Sequence, residues 1–519
     1  MSGADSAEWK AACDVEMRAL MEQNTFELVQ LPAGCKAIKS VWAFKVKEDA
    51  NGQPVKRKAR LCAKGFQQVF GRDFTETFSP VFKFTTFRVA VAIAAQLHLR
   101  TFQFDAPSAY LNGTLDHPIY MQQPNGYDDH SGRVWLLRKA LYGLKQAGRV
   151  WNDELDATLK RIGLRQCVAD PCAYVMRRDS GKFLILLVYV DDLYVATNSD
   201  ELISIVRTAL RTSYKVKEVP VVEWILGVHV SEDNLNTDGG IVLDQQTYLH
   251  KIVDLFGSPD LRPASTPAIP QHSVVISSKD SSSAQPDQPV LLAPAEVKRY
   301  QSLVGALLYL TNGTRPDIAY AVSVACRACK APSVTDLAAV KRIVQYLTAN
   351  PRHALFYGDG SGKVEVSGFA DASWASDADK FRSVCAYVFF IGGGPVSWKC
   401  KLHPTVALSS AEAEYLAIGD AAREALWLRS LLAEFGFPQL STSISVDSRS
   451  AKAIAENPVF HSRTKHINLI HHFIRQYVKT KEVLLVWVPT EQQLADIFTK
   501  PLPAPRFFAL RDSLMSVVT

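Results

Sequence analysis

Phe183-Leu-Ile-Leu-Leu-Val-Tyr-Val190 is an unbroken apolar run that stops at Asp191-Asp192, and Leu193-Tyr-Val-Ala196 restores apolar character at once. A run this short, rich in branched residues, suits a buried strand. It falls well short of the roughly 20 residues that a membrane span needs. Two buried strands therefore meet at a turn that carries adjacent carboxylates. Like charges beside a core are costly unless something binds them. A solvated polar turn and a cation-binding turn both fit this pattern.

The next carboxylate outward is Asp105, which ends the short apolar strand Phe102 to Phe104 and precedes Tyr110 by five residues. Two-metal phosphoryl transfer needs such convergence from separate segments, because two Mg2+ ions ~3.5–4 Å apart must stabilise the attacking and leaving oxygens. Further upstream, β-like runs over Ala37 to Lys47 and Val55 to Ala63 flank Asn51-Gly52, a hairpin signal. Between Lys36 and Lys64 stand nine basic residues against Glu48 and Asp49, a local surplus of seven on a chain whose net charge is only +6. Such density on an exposed hairpin suits a phosphate-binding surface, although a solvated charged hairpin would read the same way.

The chain has 519 residues, 47% of them hydrophobic, enough for two to four domains with real cores. Helical periodicity is expected over Phe87 to Gln96, Trp151 to Arg161 and Leu202 to Arg211. From Ser258 to Ala295, seven prolines and a serine-rich centre indicate a linker or long surface loop. Helices over Tyr300 to Leu310 and Thr335 to Leu347 follow. Nine scattered cysteines suit buried thiols in a reducing, intracellular setting, with no secretory signal pattern at the N-terminus. Cys326 and Cys329 have half a zinc spacing but no second pair, and are read as helical core. Asp179-Ser-Gly181 is read as a turn.

Four stretches in order, Lys58-Ala-Arg-Leu-Cys-Ala-Lys-Gly-Phe-Gln67, Phe104-Asp-Ala-Pro-Ser-Ala-Tyr-Leu-Asn-Gly113, Leu141-Tyr-Gly-Leu-Lys-Gln146 and Tyr189-Val-Asp-Asp192, resemble the reverse transcriptases of copia-type LTR retrotransposons. The resemblance implies an α+β right-hand polymerase with Asp105, Asp191 and Asp192 as catalytic Mg2+ ligands, two ions per site, with Mn2+ able to substitute. It implies that Lys58 and Arg60 hold the incoming triphosphate, that Tyr110 excludes a ribonucleotide 2′-hydroxyl, and that Tyr142, Gly143, Lys145 and Gln146 line the nucleotide pocket. Trp224, Leu226 and Gly227 resemble the primer grip, and Lys217 a general acid for the pyrophosphate leaving group. Two departures stand out: Ala106-Pro107 replaces a more usual Val-Lys, and Gly148 stands where proline is common.

A second set of acids lies further on. Asp371 ends a strand expected over Val364 to Ala370, and Asp447 follows the strand Ile444 to Val446. Glu412 and Glu414 lie in the first turns of a helix expected over Ala411 to Phe435, with Ser409 or Ser410 able to cap it. They stand ~200° apart around that helix, and Glu414 heads its apolar stripe, so Glu414 is expected to face the site. Asp496 is expected to begin a final helix. The order β-β-β-α-β-α-α-β-α with these acids resembles an α/β ribonuclease H-like domain, which implies Mg2+-dependent cleavage of RNA in an RNA-DNA hybrid by Asp371, Glu414, Asp447 and Asp496. The short loop from Pro489 to Asp496 lacks the histidine that many cellular relatives carry. Histidines and cations from Phe460 to Ile467, continuing to His471-His472, are read as a helix face near the hybrid backbone.

Taken together, the expected organisation is fingers, palm and the start of the thumb over residues 1–257, a linker over 258–295, a helical thumb or connection over 296–360, and the ribonuclease H-like domain over 361–519. The implied partners are an RNA template, a DNA primer, RNA-DNA hybrid, dNTPs, a tRNA primer and other proteins of the element, with no membrane. The resemblance also implies a piece of a longer polyprotein acting before DNA integration, in a cytoplasmic virus-like particle or the nucleus. The alternative is an inactive or host-recruited nucleic-acid-binding remnant.

Overall fold

In a strand, alternate side chains face opposite sides, so a buried face and a basic face can share one hairpin. Ser40–Glu48 and Pro54–Ala63 pair antiparallel in this way, with Trp42 opposite Leu61 and Ala43 opposite Arg60. Ala59, Leu61 and Ala63 are buried, whereas Lys58 and Arg60 alternate onto the other face. This computed structural model describes residues 6–48, 54–219, 221–233, 239–256, 262–270, 290–377, 380–456 and 468–518. The Asn51-Gly52 turn, most of the Pro/Ser-rich segment and Phe460 to Ile467 lie outside the described residues, as do the side chains of His471 and His472.

The chain forms two compact units. The first comprises Met1–Phe82, Phe102–Cys167 and Pro171–Pro220; the second comprises Lys83–Thr101, Val168–Asp170 and Val221–Thr519. This grouping is discontinuous, unlike the contiguous segments expected with limits at 257, 295 and 360.

In the first unit, helix Ser6–Glu22 packs on strand Pro54–Ala63. A six-stranded sheet runs in the order Lys217–Val219, Arg100–Asp105, Asp192–Thr197, Phe183–Tyr189, Ala173–Arg177, Arg165–Gln166. The apolar run and the stretch after Asp191-Asp192 form the two strands of a hairpin, with Tyr189 opposite Asp192. Phe183 to Val188 are all buried, which explains why this strand reads as continuously apolar. Asp179–Gly181 forms the turn before it. Helices Ala147–Arg161 and Asp200–Ser213 flank the sheet, the second capped by Ser199, whose hydroxyl accepts from Leu202 N.

The second unit is organised around helix Phe84–Gln96, in which every residue from Thr86 to Gln96 is buried. A helix apolar on all sides must be covered on all sides, and this one packs on strands Gly240–Asp244, His353–Tyr357 and Gly394–Leu402. Its one cation, Arg88, is satisfied by carbonyls: Nε donates to Val396 O at 2.8 Å and Nη1 to Asn312 O at 2.6 Å, over the Trp398 ring. The stretch expected to be helical up to residue 360 ends instead in a strand. His353–Tyr357 joins the sheet Trp224–Ile225, Val228–Asp233, Gly240–Asp244, His353–Tyr357, Ser516–Val517. Pro294, expected in the loop, is the first residue of helix Pro294–Gly313; its missing N–H costs nothing at that position.

The remaining five-stranded sheet has the order Gly394–Leu402, Val384–Ile391, Ser367–Ser373, Thr442–Val446, Val483–Trp487, which is 3-2-1-4-5 in chain order. The first three strands are antiparallel; the last two join in parallel. Helix Ser410–Phe435 lies on strands one and two, with Ser409 accepting from Glu412 N at its N-terminus and Gly436 closing it in the left-handed conformation. Asp496 does not begin the final helix. It sits in a 3-10 turn, Leu494–Phe498, and the last α-helix is Ala504–Leu514.

Candidate active sites

The hairpin joining Phe183–Tyr189 to Asp192–Thr197 has a two-residue loop, Val190-Asp191. A right-twisted hairpin this tight needs a positive φ at the first loop position, normally met by glycine. Here valine takes it, at φ +55°. Backbone strain of this kind, ~1–3 kcal/mol, persists only where surroundings impose it. Two hydrogen bonds do so: Trp151 Nε1 donates to Val190 O at 2.6 Å, and Ala106 N donates to Asp191 O at 2.9 Å. The second bond ties the strand end that carries Asp105 to the turn that carries Asp191. Pro107, which cannot donate, falls just after it.

Asp105, Asp191 and Asp192 are half-buried. Asp192 has its pKa pushed up to about 6, first by burial and then by the charges of Asp191 and Asp105, against a hydrogen bond from Gln103 Nε2 at 3.1 Å. Lys217 lies directly opposite Asp105 in the antiparallel ladder, so both side chains leave the same face of the sheet.

Tyr110 and Tyr142 pack edge to face at 5.0 Å, and the Arg60 guanidinium lies 4.4 Å over the Tyr142 ring. Burial raises both phenols, Tyr142 to about 12, and each also feels Asp191 and Arg60. Arg60, Tyr110, Tyr142 and Asp191 are therefore brought together. Gly143, at φ +87°, allows this approach: a Cβ there would stand 2.2 Å from Ala63 O, beside the bond from Ala63 N to Tyr142 O. Gln146 departs from the expected role. It is buried, accepts from Gln68 Nε2 at 2.9 Å and donates to Asp73 O at 2.8 Å, so its amide ties down the segment 68–73 instead of facing a nucleotide. Lys145 is exposed and lies over the Phe74 ring.

Trp224, Leu226 and Gly227 belong to the second unit. Leu226 and Gly227, at φ +51° and +67°, form a two-residue hairpin loop whose Leu226 carbonyl accepts from Tyr309 OH.

The other acids lie on the 3-2-1-4-5 sheet. Asp371, Glu414 and Asp447 offer carboxylate oxygens that all lie within 4.8 Å of one another. Asp371 is 2% exposed and takes a hydrogen bond from Thr499 Oγ1. Glu414 accepts from Ala372 N at 3.2 Å, whereas Glu412 turns back to accept from Leu408 N at 2.8 Å. Asp447 accepts from Thr490 Oγ1 at 2.9 Å. Burial, and then repulsion among the acids, raises both Asp371 and Glu414 against the charge of Lys500. A compact all-oxygen donor set, with Asp371 buried and Glu414 and Asp447 half-buried, fits a hard divalent cation.

Asp496 does not join this group. Its Oδ1 pairs with Lys500 Nζ at 2.7 Å and its Oδ2 with Arg506 at 3.3 Å. Lys500, Thr499 and Arg506 were not singled out from sequence. Lys500 and Thr499 lie within four residues of Asp496 in sequence, and only their placement shows what they touch.

The whole fold is similar to solved structures of foamy viral protease-reverse transcriptase bound to double-stranded DNA, with TM-scores of 0.52 and 0.50 at 12% identity, each covering 93% of this chain and 70% or 83% of the other. The fold is thus of the reverse transcriptase polymerase class. The family described as reverse transcriptase (RNA-dependent DNA polymerase) matches residues 23–270. Relatives include the retrovirus-related Pol polyproteins from transposon TNT 1-94 of Nicotiana tabacum, 35% identical over 98% of this chain and 38% of that protein, and RE1 of Arabidopsis thaliana, 35% identical over 96% and 33%. The putative transposon Ty5-1 protein of Saccharomyces cerevisiae is 32% identical over 62% of this chain and 99% of its own length. The chain belongs to the reverse transcriptase family of copia-type retrotransposon Pol polyproteins. It spans little more than a third of the plant relatives it matches.

Proposed function

We propose that the chain is an RNA-directed DNA polymerase with a second activity, cleavage of the RNA strand of RNA-DNA hybrids. The observation that carries the first activity is the strained Val190-Asp191 turn bonded to the Asp105 strand end. The site holds its acids in place before any ligand arrives. Asp105, Asp191 and Asp192 would hold divalent cations, with Mg2+ the natural choice. When bound, such cations stabilise the charge that develops on the transferring phosphoryl group. Arg60 and Lys58 orient the triphosphate of an incoming dNTP, Tyr110 walls off the sugar, and Lys217 stands ready to protonate the pyrophosphate. The local basic surplus, on a chain with so little net charge, supports a nucleic-acid template and primer as partners.

The second activity rests on the 3-2-1-4-5 sheet and the Asp371, Glu414 and Asp447 oxygens, which support a ribonuclease H-like domain over 361–519. Burial and mutual repulsion raise Glu414 and Asp371, a cost that a bound cation would relieve, and Thr499 and Thr490 donate hydrogen bonds to Asp371 and Asp447.

Primer extension on poly(rA)/oligo(dT), run beside cleavage of a labelled hybrid, tests both. Asp191→Asn should abolish synthesis and spare cleavage, and Asp447→Asn should do the reverse. Loss of neither activity in its matching variant would sink the assignment.

A further inference from the structure

Of the four acids expected in this centre, Asp496 is already engaged. Lys500 Nζ lies 2.7 Å from Asp496 Oδ1, one helical turn along the same segment, and Arg506 takes the other oxygen. The Lys500 charge also acts on Asp371 and Glu414, so its ammonium faces the cluster while its side chain remains 39% exposed. We propose that Lys500 is a resident cation in this centre, which therefore takes one divalent ion on Asp371, Glu414 and Asp447 while Lys500 sits on Asp496, and a second only when Lys500 leaves.

The reason is local charge. A divalent ion ligated by Asp496 would share a carboxylate with an ammonium already in contact, and like charges at that range repel strongly where water is scarce. At the hairpin, Lys217 stands on the neighbouring strand opposite Asp105. The exposed flank of Lys500 leaves it a way out. The phosphate backbone of a bound hybrid is the anion that would draw it away from Asp496, so occupancy of the second position would follow substrate.

This inference rests on the reading of these acids as a metal centre, and the test separates the two. Mn2+ binding is measured by calorimetry and by the free-ion electron paramagnetic resonance signal on the full chain, without nucleic acid, in an Asp191→Asn/Asp192→Asn background that disables the hairpin site. The background protein should bind one Mn2+. Adding Lys500→Met or Lys500→Gln should tighten a second Mn2+ by ~10-fold or more, and Lys500→Arg should keep the single-ion isotherm. Thermal melting verifies that each variant is folded. An isotherm within twofold of background in either folded neutral variant overturns the role of Lys500. A background protein that binds no Mn2+ overturns the metal-centre reading itself.

Discussion

The hairpin acids and the acids of the 3-2-1-4-5 sheet solve the same electrostatic problem by opposite means. Asp105, Asp191 and Asp192 stay half-exposed, spread over a strand end and a turn, and the fold spends its strain on backbone geometry at Val190. Asp371, Glu414 and Asp447 are drawn within 4.8 Å from a strand, a helix and a strand end, and the crowding appears as raised pKa values for Asp371 and Glu414. An open site can admit a large, changing substrate such as a nucleotide and primer end. The tighter cluster is the more closed of the two, with Asp371 only 2% exposed.

The largest effect expected from this contrast is on activity. Asp192→Asn and Glu414→Gln should each lower their own reaction by ~10³-fold, the several kcal/mol of charge stabilisation a cation supplies, and leave the other within a few fold; single-turnover extension and cleavage assays read both. A shared loss would show that the sites are not independent.

Next in size is the floor of the hairpin pocket. Gly143→Ala drives a methyl into the Ala63 carbonyl at a positive φ, which should cost ~2 kcal/mol or more in urea unfolding. A neutral result would mean that the pocket is looser than the closed site, contrary to the contrast as drawn.

The closed site should dominate the pH dependence of stability. A carboxyl with a higher pKa in the folded state binds its proton more tightly when folded, so the stability it contributes is present at low pH. That stability is lost as pH rises from the unfolded value, ~4, through the folded one. The window ends at about 7 for Asp371 and at about 6 for Asp192. In EDTA, the melting temperature should fall by several degrees between pH 5 and 7.5, and saturating Mg2+ should reverse the fall. Glu414→Gln should flatten this slope more than Asp192→Asn does.

The smallest effect sharpens the account of strain. Val190→Gly removes a side chain from a positive-φ position and should raise stability by ~1 kcal/mol, whereas glycine within a strand ordinarily lowers it. Chemical denaturation checks the sign.

Much of this was legible because its signals are local. The Asp191-Asp192 interruption and the choice of Glu414 over Glu412 follow from two periodicities, two per strand repeat and 3.6 per helical turn. What was missed is long-range. Nothing around Leu355 announces that it will pair with Leu243, more than a hundred positions earlier, because periodicity describes one strand and not its partner. Gln146 carried a family role in its motif, yet its amide was needed to satisfy Gln68 and the Asp73 carbonyl. Lys500 stood in plain view as a cation one turn after Asp496, but the 3-10 geometry that aims it at the acids has no periodic signature.

The pairing of Gly240–Asp244 with His353–Tyr357 also bears on how the chain can be cut. Residue 270 looks like a natural stopping point, since the matched reverse transcriptase region ends there. A fragment ending there would keep Ile241, Val242 and Leu243 but lose the strand that covers their open edge, together with the sheet hairpin that helps to enclose the apolar helix Phe84–Gln96. Bare edges and uncovered apolar helices invite self-association. Such a fragment would be prone to aggregate, and a polymerase prepared from it would be a poor guide to the intact molecule.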